Sequence, residues 1–196
     1  MSQKRLYIVV EGDTEEEFVR TSLMPYFQAF GLYDVNATKI TTNKRLSAKG
    51  GFVNYQHLKN DVNRLLKQSD AVVSMFVDFY ALPTSVPGYK QAKLKSASTE
   101  KIKLIEKSID EDLNDSRFIP YIQQHEFESL LFASDVGIRK YYADDRRLLA
   151  QFSEILTQFK NPEDINDGAE TAPSKRITAI IPGYNKVAFG NRVTMR

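Results

Sequence analysis

Two carboxylates stand where apolar runs end. Tyr7-Ile8-Val9-Val10 stops on Glu11-Gly12 and passes into Asp13-Thr14-Glu15-Glu16-Glu17-Phe18, while Val72-Val73-Ser74-Met75-Phe76-Val77 stops on Asp78. Short runs rich in β-branched residues, without alternation, read as strands buried on both faces. In open α/β sheets, reactive groups gather in the crevice outside the carboxyl ends of parallel strands. Acids delivered there from two strands form an oxygen donor set for a hard cation, Mg²⁺ or Mn²⁺, which needs few protein ligands and retains some of its water. Glu11 and Asp78 are the candidate ligands. Glu15, in the following helix, is the candidate to complete the shell or to orient a water. The bland reading of the same acids, as strand ends and helix caps, stays open at this level.

The elements that must position them follow from periodicity. A strand over 5–10 leads through a turn at Gly12 into a helix capped by Asp13 or Thr14, with Glu15, Glu16 and Glu17 at its dipole-favoured start. Val19, Leu23, Tyr26, Phe27 and Phe30 share one helical face, Pro25 predicts a kink or break within it, and Gly31 ends it. A strand over 35–42 precedes the basic loop Asn43-Lys44-Arg45-Leu46-Ser47-Ala48-Lys49. Tyr55, Leu58, Val62, Leu65 and Leu66 mark a helix leading to the strand that ends on Asp78.

Beyond Asp78, Pro83, Pro87 and Gly88 predict an irregular segment. Lys90, Lys93, Lys95, Lys101, Lys103 and Lys107 follow, the later ones on a helix with Ile102, Ile105, Ile109 and Leu113 as its apolar face. A fourth strand is predicted over 118–123. Leu148, Leu149, Phe152, Ile155, Leu156 and Phe159 then form one helical stripe, and Pro173 opens a last helix. This alternation predicts an α/β fold: a central, mostly parallel sheet of about four strands flanked by helices, with a helical C-terminal third. One domain over 1–196 is expected, with its core in 1–133 and a helical part in 134–196.

Composition narrows the chemistry. The 196 residues contain no cysteine, which excludes disulfides, thiolate metal sites and cysteine nucleophiles and fits a reducing compartment. A strand begins within a few residues of the N-terminus, leaving no room for a signal peptide, and no apolar run approaches the ~20 residues of a membrane span. A cytoplasmic protein without membrane attachment is the expectation. The net charge is only +2, so attraction to nucleic acid must come from local patches. No Gly-x-Ser-x-Gly elbow, Walker loop or dinucleotide fingerprint is present.

Further charged groups extend the candidate site. Glu126 and Glu128, after the fourth strand, share a face if their segment is a strand and diverge if it is a helix. They are either metal ligands or an ordinary acid pair at a helix start. Lys175 and Arg176, after a polar loop, could balance charge on a phosphoryl group or remain solvated. Lys44, Arg45 and Lys49 on one loop, with Lys90 and Lys93 on another, are candidate contacts to phosphate backbones, as is Arg176. Phe79, Tyr80 and Tyr89 either stack on bases or pin their loop.

Taken in order, Val10-Glu11-Gly12-Asp13-Thr14-Glu15, Asp78-Phe79-Tyr80-Ala81-Leu82-Pro83, Gln124-His125-Glu126-Phe127-Glu128, Pro173-Ser174-Lys175-Arg176 and Tyr184-Asn185-Lys186 carry a resemblance that covers nearly the whole chain. A strand ending Glu-Gly-x-Thr-Glu, followed by a later strand ending in Asp, resembles the topoisomerase–primase (TOPRIM) domain, in particular the branch found in overcoming-lysogenisation-defect (OLD) nucleases. The set is also similar to an uncharacterised bacterial family of the same clan. The resemblance implies a TOPRIM-like fold with Glu11 as first-strand acid and Asp78 leading the clan's Asp-x-Asp motif. It further implies a late lysine near the metal, for which Lys175 is the best match and Lys186 a weaker one. Tyr80 stands where that motif has its second acid, and a tyrosine does not replace a carboxylate on Mg²⁺. Glu126 or Glu128 is our candidate for the missing ligand.

The activity implied is Mg²⁺- or Mn²⁺-dependent phosphodiester hydrolysis on DNA or RNA, beside a partner ATPase in anti-phage defence. The alternative is a catalytically degenerate module that binds nucleic acid or the ATPase. Related chains continue into a further helix after Tyr184-Asn185-Lys186-Val187-Ala188-Phe189-Gly190, so an ending at Arg196 suggests truncation or a frameshift and exposed core surface that would favour a homodimer.

Overall fold

The structure is a computed structural model that describes residues 4–41, 52–159, 161–165 and 171–185. The basic loop with Lys44, Arg45 and Lys49, and likewise Lys186, lies outside the described residues. The chain divides into two compact units, Met1–Gln124 and His125–Arg196.

In the first unit, β1 (Arg5–Val10), β2 (Val35–Lys39), β3 (Ala71–Asp78), β4 (Phe118–Ile119) and β5 (Ile122–Gln123) form a sheet in the order β2-β1-β3-β4, with β5 also beside β3. Every pairing among the described residues is parallel. The register sets Val9 opposite Met75 and Val10 opposite Phe76. Successive side chains alternate between faces. Val9, Val73, Met75 and Val77 therefore face one way, into a core shared with Leu58 and Val62 of α3 (Tyr55–Leu66) and Ile105 and Ile109 of α5 (Ser98–Leu113). On the other face Phe76 meets Phe18 of α1 (Asp13–Phe18), ring centroids 5.9 Å apart. Helices thus cover both faces, which is why β1 and β3 show no polar alternation.

Two expectations change here. After α1 the chain makes a π-helical turn, Val19–Leu23, before α2 (Met24–Ala29), in which Pro25 occupies the first turn. The break predicted at Pro25 is this turn, just ahead of the residue that lacks an N–H donor. An inserted residue rotates the helical phase, so the predicted apolar face is not buried as one stripe: Val19 is buried, whereas Tyr26 and Phe30 are exposed. The fourth strand is likewise split into β4 and β5 by Pro120, which cannot donate to a ladder.

Long side chains bind the layers at their ends. The Arg117 guanidinium donates to the carbonyls of Leu66 (2.9 Å) and Gln68 (3.0 Å), satisfying acceptors at the end of α3. Asp112 on α5 accepts from Tyr55 Oη (2.7 Å) and Lys59 Nζ (2.9 Å) of α3. Burial alone would raise the Asp112 pKa, but the hydrogen bonds from Lys59 and Tyr55 and the Lys59 charge hold it below the usual carboxylate value. A carboxyl depressed in the folded state stabilises fully above its unfolded pKa, ~3.9, and that stability fades as pH falls through the folded value. Lys59→Met is therefore expected to lower Tm at pH 7, by an amount equivalent to about 0.5–1 kcal/mol for such a solvent-screened pair. The gap to wild type should close below about pH 4 in thermal melts.

The second unit carries a 3₁₀ segment (Phe127–Ala133), α6 (Val136–Tyr141), α7 (Arg146–Gln158), a short 3₁₀ turn (Pro162–Asp164) and α8 (Pro173–Ile180). Its core gathers Leu131, Phe132, Ile138, Leu148, Phe152, Ile165 and Ile177. Phe132 and Phe152 stack with centroids 5.0 Å apart and an interplanar angle of 9°. Leu131 and Phe132 belong to this cluster, so the 3₁₀ segment packs with the helical part of the chain. Among the described residues no helix is long and apolar enough to cross a membrane.

Candidate active site

Adjacent parallel strands deliver Glu11 and Asp78 to one edge of the sheet. Val10 closes the β1–β3 ladder opposite Phe76 and also accepts a hydrogen bond from the Ile40 amide (3.0 Å), so β1 is held on both sides to its last residue. Asp78 is the final residue of β3 and Glu11 the first beyond β1; both are half-buried. Strict alternation past Val10 would send Glu11 to the face opposite Asp78. Strand β1 ends there, however, and the chain bends at Glu11 and Gly12, so alternation no longer governs Glu11.

Gly12 serves this bend differently from the tight turn expected of it. Its φ of −148° is ordinary extended backbone. A Cβ built on it, however, would lie 3.3 Å from Glu15 Oε2. Glycine therefore leaves room for the Glu15 carboxylate to fold back over the start of α1, where it is 5% exposed. A buried carboxylate is costly in an apolar setting, and the free amides and dipole of a helix start offset that cost. The other first-turn acids are engaged elsewhere. Asp13 and Glu16 flank Lys39 Nζ at 2.7 and 3.2 Å, as surface ion pairs with the end of β2.

Among the described residues, no three His, Cys, Asp or Glu side chains converge as a metal-binding group. Mg²⁺ in its usual mode asks less of a protein than such a group: one or two carboxylates, while it keeps several waters and takes further oxygens from a phosphate. Tyr80 is 57% exposed on a 3₁₀ turn (Phe79–Ala81) that begins directly after Asp78.

Beside that turn lies a cavity of about 240 Å³ lined by Phe79, Tyr80, Tyr89, Ala92, Lys93, Lys101 and Ile105. Lys93 Nζ sits 5.1 Å from the centroid of the Tyr89 ring, a cation–π contact on α4 (Tyr89–Ala92) and its cap. Lys90, by contrast, is exposed and does not line the cavity.

The remaining candidates belong to the second unit. Glu126 Oε2 accepts from the Ser174 amide (3.0 Å), so this acid caps α8, whose own N-cap residue, Ala172, has no side chain able to do so. Glu128, four per cent exposed, lies on the 3₁₀ segment, which settles the strand-or-helix alternative left by the sequence. The Tyr184 hydroxyl is buried with no hydrogen-bond partner among the described residues. Burial first, then the charges of Glu128 and Glu126, push its pKa up. Lys175 is exposed on the first turn of α8, and the Arg176 guanidinium lies 4.9 Å from the centroid of the Phe159 ring and donates to the Thr171 carbonyl (2.9 Å). Glu126→Ala is expected to cost about 1–2 kcal/mol through loss of the cap. A Tm drop of ~2–4 °C per kcal/mol should report it, with Glu126→Gln retaining part of the difference.

A parallel α/β sheet with acids at the carboxyl edge, and an aromatic, basic cavity just past one of them, defines an α/β protein with a strand-end acidic site. The chain belongs to the family described as domain of unknown function DUF4276, whose profile matches residues 10–196. No curated protein matches the sequence. Among solved structures the chain is similar to the C-terminal region of the Xanthomonas campestris pv. campestris OLD protein. The platinum-phased structure shares 15% identity over 97% of this chain and 83% of that one, at a TM-score of 0.43. The mercury-phased structure shares 15% identity over 99% and 86%, at 0.40.

Proposed function

We propose that the chain is a TOPRIM-like, Mg²⁺- or Mn²⁺-dependent phosphodiester hydrolase acting on DNA or RNA, with its site in the first unit. The observation that carries this reading is the in-register pairing of β1 with β3, which brings Glu11 and Asp78 to the same edge of the sheet. Glu11 and Asp78 hold the cation. Glu15, folded back over Gly12, accepts a hydrogen bond from a water and orients it. When bound, the metal lowers the pKa of the attacking water and stabilises charge on the scissile phosphate. By the resemblance of its motifs, the chain works beside a partner ATPase in anti-phage defence.

Incubation with labelled DNA and RNA, in Mg²⁺, in Mn²⁺ and in EDTA, tests this. Cleavage should need the metal and fall by about 100-fold in Glu11→Gln, the loss of ~2.7 kcal/mol of transition-state stabilisation. Cleavage that persists in EDTA, or in the variant, contradicts it.

A second reading, a degenerate module that binds nucleic acid or the ATPase without cutting, is favoured by Tyr80 in the second-acid position. It predicts no cleavage under any condition and no effect of Mn²⁺ on Tm, because a ligand that binds only the folded state must stabilise it.

A further inference from the structure

The cavity at the Phe79–Ala81 turn is too small for a drug-sized ligand, which takes ~300–1,000 Å³, but suits one flat ring system. Its walls divide by chemistry. Tyr80 and Tyr89 offer aromatic surface, Ile105 and Ala92 an apolar floor, and Lys93 and Lys101 two cations. Among the described residues neither lysine is ion-paired.

A structural role accounts for part of the wall only. Phe79 and Tyr89 pack against the core of the first unit and pin their loop. Tyr80 is outside that core and more than half exposed, with its ring held tilted at 68° against Phe79, centroids 5.7 Å apart. An exposed, oriented aromatic next to cations that lack a carboxylate partner is how proteins hold unstacked bases and the phosphates joined to them.

We propose that this cavity takes one unstacked base of a single-stranded nucleic acid, with the adjoining phosphate on Lys93 and Lys101. The inference rests on the hydrolase reading for its purpose, since it leads a single strand past the end of β3. A duplex is the weaker ligand, because one of its bases must first be unpaired and taken out of the stack.

Fluorescence anisotropy in EDTA, where metal contributes nothing, tests it on the whole chain. The probes are a fluorescein-labelled oligo(dT) of roughly twelve nucleotides, within the ~4–16 that such folds cover, an abasic strand of equal length, and a blunt hairpin duplex. Oligo(dT) should bind about 5- to 150-fold tighter than the abasic strand or the duplex, the range of one base–aromatic stack. Tyr80→Ala should erase that difference and Tyr80→Phe restore it. Lys93→Gln with Lys101→Gln should weaken both strands and reduce the salt slope by about 0.7, the value for the one phosphate that the pair holds.

Equal affinity for oligo(dT) and the abasic strand, or a difference that survives Tyr80→Ala, overturns the proposal. Thymidine monophosphate binding as tightly as oligo(dT) would also overturn it, by assigning the cavity to free nucleotides. The two readings fail separately. Base-selective binding without metal-dependent cleavage leaves the cavity standing and removes the hydrolase, and cleavage without base selectivity does the reverse.

Discussion

Asp78→Asn is expected to lower metal-dependent cleavage by about 10²–10³-fold, equivalent to ~3–4 kcal/mol, with little change in Tm. The substitution keeps the shape and one carbonyl oxygen, and β3 retains its pairing with Gln123 of β5. What it removes is negative charge at the carboxyl edge. A hard cation held by only one or two carboxylates is sensitive to the loss of either. Raising Mn²⁺ should recover part of the rate if the defect is in cation affinity. Single-turnover cleavage across a metal titration, beside a thermal melt of the same protein, separates this from unfolding.

Gly88→Ala is expected to lower stability by about 2–5 kcal/mol and to disable the cavity. Gly88 has φ +76°, in the left-handed region, where a side chain costs ~1–2 kcal/mol. A Cβ there would overlap Ser108 Oγ and lie 2.9 Å from Ser108 Cβ and Leu104 Cδ2. The hydroxyl could rotate only by giving up its hydrogen bond to the Leu104 carbonyl, and Ser108 Cβ cannot move without α5. Overpacking of this kind adds ~1–3 kcal/mol. Relief comes by pushing α4 away from α5, which displaces Tyr89 and Lys93 together. Chemical denaturation should show the loss of stability. If Gly88→Ala matches wild type in both stability and oligo(dT) binding, the close approach of α4 to α5 is unimportant.

The strands that position the site were legible because each is covered on both faces. Burial on two sides removes the polar alternation, so Tyr7–Val10 and Val72–Val77 stand out as unbroken apolar runs ending on an acid. Helices α3 and α5 were equally plain, since each buries one stripe and solvates the rest. The phase shift after Val19 was not legible, because Pro25 announces a break without saying that a π turn will absorb it.

Long-range polar contacts left no local signal either. Glu126 reads as one acid of a pair, and only the fold reveals that its oxygen reaches the Ser174 amide at the start of α8. Gly12 looked like a turn glycine, whereas its missing side chain is what admits the Glu15 carboxylate. The sequence left base stacking or loop pinning open for Phe79, Tyr80 and Tyr89; in the fold Phe79 and Tyr89 pack against the core, whereas Tyr80 stays exposed.

Calorimetric titration of Mn²⁺ into the wild-type chain, repeated with Glu11→Gln and Asp78→Asn, tests most directly whether these two acids share a cation. Saturable binding by the wild type is expected, weakening at least ~10-fold in each variant, the ~1.4 kcal/mol expected from losing one carboxylate ligand. Mn²⁺ binding that is absent from the wild type, or unchanged in both variants, would contradict a shared cation.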